Sequence, residues 1–405
     1  MEDFKIMRLG HHGNGITEDG YYVPLTLPGE VISGRRSAKS LEEVKILAPS
    51  SDRVHPPCSH FKACGGCQLQ HASDEFVSSW KVAVVEQALA ARGISTELYA
   101  CLTSPIASRR RATFSARRTK KGAMAGFHAR GSDVIVEIAN CQLLHADLVA
   151  ALPIVEAFAV IGTSRKGELS AQVTISQAGL DIAIEGGKPL DGPMQASLAK
   201  ETEGHQLARL TWNKEVIAMR HAPSQKFGTA IVVPPPGTFL QATQEGQEDL
   251  LETVKTILGD AKRVVDLFSG CGTFSLPLAE RAEVHAVEGN KYMVAALDKG
   301  WRQAIGLKKV THEVRDLSHR PLLPDELNKF DAAVIDPPRA GADAQIANLS
   351  KSGIKTIAYV SCNPISFARD AALLFATGYD LQFVQTVDQF RWSSHIELVG
   401  SFCKD

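Results

Sequence analysis

Hydrophobic and polar positions follow three different patterns along this chain of 405 residues. Residues 1 to about 50 contain short apolar stretches between glycines, and Tyr21–Leu25 is typical of a strand. Residues 51–75 show little periodicity, whereas Glu75–Arg92 places apolar side chains at helical spacing and is followed by Gly93. The N-terminal part therefore predicts a small β unit, an irregular loop and one helix.

The middle of the chain, from Arg109 to about Ala242, contains short runs in which apolar and polar residues alternate. The clearest strand pair is Gln172–Ser176 and Leu180–Ile184, which a Gln-Ala-Gly turn separates. Short alternating runs of this kind predict an antiparallel sheet, here accompanied by a few helices.

After Arg263 the pattern changes to apolar strands that alternate with helical stretches. The strand candidates are Val264–Phe268, Val284–Glu288, Phe330–Ile335, Thr356–Ser361, Leu381–Val387 and Ile396–Phe402. This alternation predicts an open, mostly parallel α/β sheet, in which ligands bind at the carboxyl ends of the strands.

Composition changes this picture little. Hydrophobic residues make up 44% and charged residues 22%, which is ordinary for a globular protein. No apolar run is long enough to cross a bilayer, and the N-terminus lacks the apolar core of a signal peptide. We therefore expect a cytoplasmic protein without a membrane partner, and a monomer.

Charge is distributed unevenly, although the net charge is only −1. The segment between Ala107 and Gly131 has no acidic residue, and its basic residues are Arg109, Arg110, Arg111, Arg117, Arg118, Lys120, Lys121 and Arg130. Such a run suits contact with a phosphate backbone, and a solvated pair of surface strands explains it equally well.

A glycine turn follows the first strand of the α/β part. Asp266 lies near the end of that strand, and Gly270 and Gly272 allow the backbone to approach a ligand closely. Glu288 ends the next strand, where a carboxylate can hold both hydroxyls of a ribose. This layout is typical of a class I S-adenosylmethionine methyltransferase. One alternative is an NAD site, but such a site prefers G-x-G-x-x-G, and Ser275 replaces the third glycine here. The other alternative is a tight turn that binds no ligand.

Three reactive side chains lie at or near the ends of later strands. Asp336 follows one strand, Cys362 follows the next, and Glu397 lies in the last strand candidate. A thiolate can add to carbon 6 of uracil, so that carbon 5 attacks a methyl sulfonium, and a carboxylate can then remove the proton from carbon 5. Cys362 is suited to be the nucleophile, Glu397 the base and Asp336 the group that orients the uracil. A buried cysteine without chemistry is the alternative.

Four other cysteines have the spacing of metal ligands, because Cys58, Cys64 and Cys67 are followed much later by Cys141. Structural disulfides are not expected in a cytosolic chain. On spacing alone a 4Fe–4S cluster is favoured over zinc bound by the same four thiolates. A mixed zinc site would draw on His55, His60 and His71.

Taken together, these motifs resemble the RNA uracil-5 methyltransferase family over nearly the whole chain. The matching motifs include Asp336–Gly341 and Phe239–Gln241, and the most specific is Ser361–Pro364 followed by Ala368–Asp370. The resemblance implies that Asp336, Cys362 and Glu397 are the active-site residues. It also implies that Cys58, Cys64, Cys67 and Cys141 hold a 4Fe–4S cluster, as in the iron–sulfur members of the family.

The resemblance further implies contacts with S-adenosylmethionine. The residues concerned are Gln241, Phe268, Gly270, Gly272, Thr273, Glu288, Asp316 and Asp336. The chain departs from the family pattern at Thr273 and Thr243, where asparagine is frequent, and at Arg391, which replaces a proline. These departures affect single cofactor contacts and remove no catalytic group. The match of Asp316 to a cofactor contact depends on how the local spacing is aligned with the family pattern.

The resemblance implies a Rossmann-like class I methyltransferase domain over residues 241–405, preceded by a TRAM-like RNA-binding β-barrel over 1–52. Between them, residues 53–240 should form a central domain with the cluster loop and the antiparallel sheet. We expect 23S rRNA as the substrate, because family members with both a TRAM-like domain and cluster cysteines mostly modify it. The T-loop uridine of tRNA is the alternative.

Two other functions fit parts of the pattern. Amino-group methyltransferases also use an Asp-Pro-Pro element, but they follow it with an aromatic residue, and here Arg339 stands in that position. A non-catalytic RNA-binding or redox protein on a methyltransferase fold would not need Cys362, Asp336 and Glu397 together. A methyl-transfer assay on unmodified RNA separates the three.

Overall fold

A small closed barrel forms the N-terminal part of the computed structural model, which describes residues 1–37 and 40–404. Its strands are β1 (Glu2–Leu9), β2 (Gly15–Thr17), β3 (Tyr22–Val23), β4 (Val31–Ser37) and β5 (Ser40–Ala48). They pair in the order β1-β2-β3-β5-β4 around a core that includes Phe4, Ile6 and Ile32. The predicted β unit is confirmed, although only Tyr22–Val23 of the expected Tyr21–Leu25 segment forms a strand.

An irregular loop leads from the barrel to helix α1 (Asp74–Ala90), close to the predicted helix. The hydroxyl of Ser73 caps this helix by accepting the N–H of Phe76 at 3.2 Å, and such a cap stabilises a helix by about 1 kcal/mol. Strand β6 (Glu97–Thr103) follows, and it pairs with a strand near the C-terminus rather than with its neighbours.

The central part is a seven-stranded sheet with the order β13-β12-β11-β10-β7-β8-β9. Its strands are β7 (Arg111–Arg118), β8 (Ala123–His128), β9 (Ile135–Val136), β10 (Glu168–Ser176), β11 (Gly179–Glu185), β12 (Arg209–Trp212) and β13 (Glu215–Met219). The predicted hairpin is confirmed as β10 and β11, with Val173 opposite Ile182. Only β11 and β12 pair in parallel within this otherwise antiparallel sheet, as far as the described residues show.

Helices α2 (Ala146–Ala150), α3 (Leu152–Gly162) and α4 (Gly192–Gly204) accompany the central sheet. Their apolar residues join those of the strands in one core, which includes Phe114, Phe158, Leu169 and Trp212. A short hairpin of β14 (Gln225–Phe227) and β15 (Ala230–Val232) and then helix α5 (Gln244–Leu258) lead into the last part of the chain.

The C-terminal sheet has eight strands in the order β18-β17-β16-β19-β20-β22-β21-β6. Its strands besides β6 are β16 (Arg263–Leu267), β17 (Glu283–Glu288), β18 (Val310–Val314), β19 (Ala332–Ile335), β20 (Thr356–Ser361), β21 (Asp380–Asp388) and β22 (Glu397–Cys403). The helices between them are α6 (Ser275–Leu278), α7 (Lys291–Gln303), α8 (Pro324–Leu327), α9 (Asp343–Leu349) and α10 (Pro364–Phe375). Strand β22 runs opposite to both of its neighbours, and the other pairs in this sheet are parallel.

All six strands predicted after Arg263 are present, and two members of the sheet were missed. Val310–Val314 is an edge strand of which only Val310 is buried, so it lacks an apolar run. Glu97–Thr103 lies far away in sequence and carries no sign of its partner. The predicted domain boundaries stay predictions, although α1 and β6 both pack with the C-terminal sheet.

Two hydrophobic clusters cover the faces of this sheet. One includes Val85 and Leu89 of α1 with Phe367 of α10, and the other includes Leu250 and Val254 of α5. Within residues 1–37 and 40–404, no helix has the length and the apolar character needed to span a membrane.

Candidate active site

The reversed direction of β22 places its first residue at the edge of the sheet where the parallel strands end. Ser361, the last residue of β20, pairs with Leu398 of β22. Cys362, which follows β20, and Glu397, the first residue of β22, are each one position further towards this edge and therefore lie at neighbouring strand ends. Asp336 follows β19, the other neighbour of β20, and so the three predicted catalytic residues meet at one edge.

The three side chains influence one another electrostatically. Loss of solvation raises the pKa of the Cys362 thiol to about 12, and the carboxylates of Glu397 and Asp336 contribute to this rise. The guanidinium of Arg339 opposes it. In the protein without RNA the thiol is therefore held in its protonated form at neutral pH.

Both carboxyl groups are themselves perturbed. Loss of solvation raises the pKa of Asp336 to about 7. Burial, and then repulsion by Asp336, raise the pKa of Glu397 well above its ordinary value, whereas a hydrogen bond with Gln389 and the charges of Arg339 and Lys81 act against this rise. With a pKa of about 7, Asp336 can accept and release a proton near neutral pH, and the raised pKa of Glu397 makes its carboxylate a stronger proton acceptor.

Residues at the start of α10 and within it form hydrogen bonds with the segment Asp336–Ala342. Asp370, which is fully buried, accepts the N–H of Ala342 at 2.9 Å and the hydroxyl of Tyr359 at 2.5 Å. Asn363 and Ser366 donate to the backbone oxygen of Arg339 at 3.0 and 3.2 Å. Hydrogen bonds from residues that follow Cys362 therefore hold the backbone of the segment that follows Asp336.

The predicted glycine turn lies beside this edge. Gly270 and Gly272 adopt φ values of +56° and +92°, which favour glycine, and Phe268 between β16 and the turn also has a positive φ of +65°. The carboxylate of Glu288 accepts the N–H of Gly270 at 3.0 Å and that of Asn290 at 2.8 Å. Glu288 is thus held in place at the end of β17, next to the open turn.

The other predicted cofactor residues lie around the same edge. Half-buried Thr273 belongs to the turn, and exposed Asp316 follows the end of β18. Hydrogen bonds from Ser318 and His319 lower the pKa of Asp316 to about 2. Buried Gln241 lies in the loop before α5. Each of these residues is near the strand ends or the loop that borders them.

Two buried polar side chains near this edge make contacts that the sequence did not indicate. Buried Gln389 accepts the N–H of Ala242 at 2.7 Å and donates to the amide oxygen of Gln241 at 2.5 Å, besides its bond with Glu397. Asp266 is fully buried, accepts the hydroxyl of Ser275 at 2.5 Å and leaves its other oxygen without a protein partner. An acidic residue near a strand end was the available signal for Asp266.

The four predicted ligand cysteines surround one cavity. Cys58, Cys64, Cys67 and Cys141 line it together with apolar side chains such as Phe61. His60 also lines the cavity, with its Nδ1 3.7 Å from the sulfur of Cys58, whereas His71 stacks on Phe61. In the described part of the chain, no three His, Cys, Asp or Glu side chains form a group arranged to hold a metal ion. The metal site therefore stays a prediction.

The basic segment does not form one continuous surface for phosphates. Arg110 is buried and bonds to Gln247 at 2.8 Å, and Arg117 pairs with Glu168 at 2.6 Å. Arg130 donates to the backbone oxygen of Cys67 at 2.8 Å. The side chains left exposed are those of Arg118, Lys120 and Lys121. Several of these arginines thus make contacts within the protein and are not free to bind phosphates.

Comparisons with known proteins show which family the chain resembles. The family model "tRNA (Uracil-5-)-methyltransferase" matches residues 234–404. The chain is 42% identical to an uncharacterized RNA methyltransferase of Caulobacter vibrioides over 100% of both chains. It is 30% identical to the 23S rRNA (uracil(1939)-C(5))-methyltransferase of Chromohalobacter salexigens, covering 100% of this chain and 90% of that protein.

A solved structure shares the fold. The tRNA (uracil-54, C5)-methyltransferase of Pyrococcus abyssi, in complex with S-adenosyl-L-homocysteine, superimposes with a TM-score of 0.77 at 21% identity, covering 98% of this chain and 99% of that one. The expected fold class, a methyltransferase domain with an N-terminal barrel and a central β-rich part, is confirmed. With relatives that match over its full length and the motifs at its sheet edge, this chain belongs to the RNA uracil-5 methyltransferase family.

Proposed function

We propose that the enzyme methylates carbon 5 of a uridine through a covalent bond between the sulfur of Cys362 and carbon 6 of the base. The observation that carries this proposal is the meeting of Cys362, Asp336 and Glu397 at one sheet edge, next to the glycine turn. An amino-group methyltransferase has no use for a thiol at this position.

The cofactor site fits S-adenosylmethionine. Glu288 would hold the ribose hydroxyls, and the positive φ values of Gly270 and Gly272 leave the backbone open to close approach. Phe268, Thr273, Asp316 and Gln241 would complete the contacts. The bound cofactor supplies an electrophilic methyl group, so the protein itself must activate carbon 5 of the uracil.

The side chains can perform the remaining steps in order. The Cys362 thiol loses its proton to Asp336 as sulfur adds to carbon 6, and the electron pair moves towards O4 of the base. Protonated Asp336 can then donate a hydrogen bond to that oxygen. After carbon 5 has taken the methyl group, Glu397 removes its proton. The C–S bond then breaks, which restores the double bond between carbons 5 and 6 and releases the Cys362 thiolate, to which Asp336 returns its proton.

RNA containing 5-fluorouridine tests the nucleophile, because fluorine cannot leave as a proton. The wild type should form a stable protein–RNA adduct, visible as a shifted band in a denaturing gel. Cys362→Ala should form none, while Cys101→Ala, which changes a half-buried cysteine on β6, should react normally. An adduct with Cys362→Ala would show that another residue is the nucleophile.

A second variant tests the base. Glu397→Gln should allow addition and methyl transfer but slow elimination by about 10²- to 10⁴-fold, because it removes the proton acceptor. The protein should then accumulate as an adduct with RNA that already carries 5-methyluridine. The double variant Cys362→Ala/Glu397→Gln serves as the control without an adduct. Normal turnover by Glu397→Gln would exclude this role.

For the substrate we propose 23S rRNA. The support is the relative from Chromohalobacter salexigens, whose name specifies 23S rRNA and which matches along the whole chain. The alternative is tRNA, which the name of the matching family model specifies. Mass spectrometry of both RNAs from a deletion strain decides: loss of 5-methyluridine from 23S rRNA is expected, and loss from tRNA alone would favour the alternative.

For the four cysteines we propose a 4Fe–4S cluster. The support is a set of thiols from two distant segments around one cavity with an apolar lining. Cluster ligands are thiolates, and apolar walls shield such clusters from solvent. Cys58, Cys64, Cys67 and Cys141 would each bind one iron and so fasten the loop before α1 to the segment after β9. Zinc bound by the same thiols is the rival.

A further inference from the structure

The loop between β21 and β22 ends at Glu397 and is held by a lysine from a distant part of the sequence. Lys81 of α1 is fully buried, and its ammonium lies 2.6 Å from a carboxylate oxygen of Asp388. It also donates to the backbone oxygen of His395 at 2.8 Å and to that of Phe390 at 3.3 Å. All three partners lie within or next to this loop.

A lysine in this environment is unusual. Lysine is almost never fully buried without a partner, and an ammonium can donate three hydrogen bonds. Here one partner is Asp388, the last residue of β21. The other two are Phe390, near the start of the loop, and His395, two residues before Glu397. Because a buried ion pair stabilises a fold little compared with apolar packing, its contribution is better sought in the geometry it imposes.

The same loop is joined to the active site and to the cysteine loop. Gln389, next to Asp388, bonds with both Glu397 and Gln241. On the other side of the loop, the N–H groups of Gln68 and Leu69 donate to the backbone oxygen of Trp392 at 2.8 and 2.9 Å. Among these contacts Lys81 supplies the positive charge, which also favours the ionised form of Glu397.

We propose that Lys81 is a positioning residue for methyl transfer, which fixes the loop so that the Glu397 carboxylate faces carbon 5 of the bound uracil. The proposal rests on the proposed role of Glu397 as the base. It predicts that loss of Lys81 slows proton removal while addition to carbon 6 and RNA binding are retained. A purely structural role would instead weaken every step together.

The test removes both charges so that no unpaired buried ion is left behind. In Lys81→Met/Asp388→Asn, the asparagine can still accept the N–H of Phe390, as Asp388 does at 2.9 Å. Elimination should slow by about 10- to 100-fold, the loss typical of a misplaced catalytic group. Methylated adduct should accumulate, whereas KM for RNA and the rate of adduct formation with 5-fluorouridine RNA should stay within about threefold of wild type.

A matched control removes another largely buried ion pair. Arg209 and Asp181 in the central sheet lie 2.6 Å apart, and Arg209→Met/Asp181→Asn should eliminate at the wild-type rate without accumulation of adduct. If the Lys81 double variant eliminates at the wild-type rate while Glu397→Gln accumulates as adduct, the proposal for Lys81 is wrong and the role of Glu397 stands. Equal losses in all steps would overturn it as well. Normal elimination by Glu397→Gln would instead overturn the role of the base, and the Lys81 proposal with it.

Discussion

The side-chain nitrogen of Asn363 lies 3.0 Å from the backbone oxygen of Arg339, to which it donates a hydrogen bond. Through its oxygen, the same side chain accepts the N–H of Ile365 at 3.1 Å and so caps α10. One asparagine therefore connects the segment after β19 with the segment that carries Cys362. This dual use explains why an amide, with both a donor and an acceptor, stands next to the nucleophile.

Asn363→Asp separates the two contacts. Aspartate caps a helix as well as asparagine, so the free energy of unfolding should change by less than about 0.5 kcal/mol. It has no N–H for Arg339, and the displaced segment should lower kcat by about 10- to 100-fold. Steady-state kinetics and urea unfolding measure both effects. The control is Asp191→Asn at the cap of α4, and an unchanged kcat for Asn363→Asp would contradict the prediction.

Glu288→Gln should weaken the binding of S-adenosylmethionine. The substitution removes the negative charge and one of the two acceptors that now hold the N–H groups of Gly270 and Asn290. A lost hydrogen bond to a charged group corresponds to roughly a 10- to 100-fold rise in Kd, which calorimetry can measure. Glu283→Gln changes an exposed residue at the opposite end of β17 and should leave Kd unaltered.

Asp266 should make stability depend on pH. Burial raises the pKa of this carboxyl to about 7, so the folded state binds a proton that the unfolded state has released. Stability is then lost as pH rises from the ordinary pKa of an aspartate towards 7. Asp266→Asn cannot ionise, and its free energy of unfolding relative to wild type should rise by about 2 kcal/mol between about pH 5 and pH 8.

Urea unfolding at several pH values tests this prediction. Asp331→Asn is the comparison, because hydrogen bonds from Arg263 hold the pKa of Asp331 below its ordinary value. Its free energy of unfolding relative to wild type should not rise over the same pH range. A constant difference between Asp266→Asn and wild type would mean that Asp266 is ionised in the folded protein.

Protein prepared without oxygen should contain about four iron atoms per chain and the absorbance of a 4Fe–4S cluster. Cys141→Ala should lose most of this iron, whereas Cys101→Ala should retain it. Iron and sulfide analysis gives the result, and stoichiometric zinc in its place would contradict the prediction. Because Trp392 belongs to the same hydrophobic cluster as Cys67 and Phe61, loss of the iron should also change tryptophan fluorescence.

The sequence was most informative where chemistry and strand ends coincide. Asp336, Cys362 and Glu397 were predicted to converge because the carboxyl ends of parallel strands share an edge, and the reversed strand β22 brings Glu397 there. Contacts between residues far apart in the chain could not be predicted, because no pattern near either residue indicates its partner. Lys81 occupies an ordinary helical position in the sequence, and nothing near it indicates Asp388. Likewise, the arginines after Ala107 read as a surface, although Arg110 is buried.

The pairing of β6 with β21 has a consequence for synthesis on the ribosome. Glu97 of β6 lies opposite Phe383 of β21, so the partner is made much later. At about 5–20 residues per second, roughly 15 to 60 s pass between the two strands. Until then β6 lacks this partner strand, and Val85 and Leu89 of α1 lack the neighbours in their hydrophobic cluster that come from the end of the chain. We expect the emerging polypeptide to engage a holding chaperone during this interval, and to release it only as the last strands leave the exit tunnel.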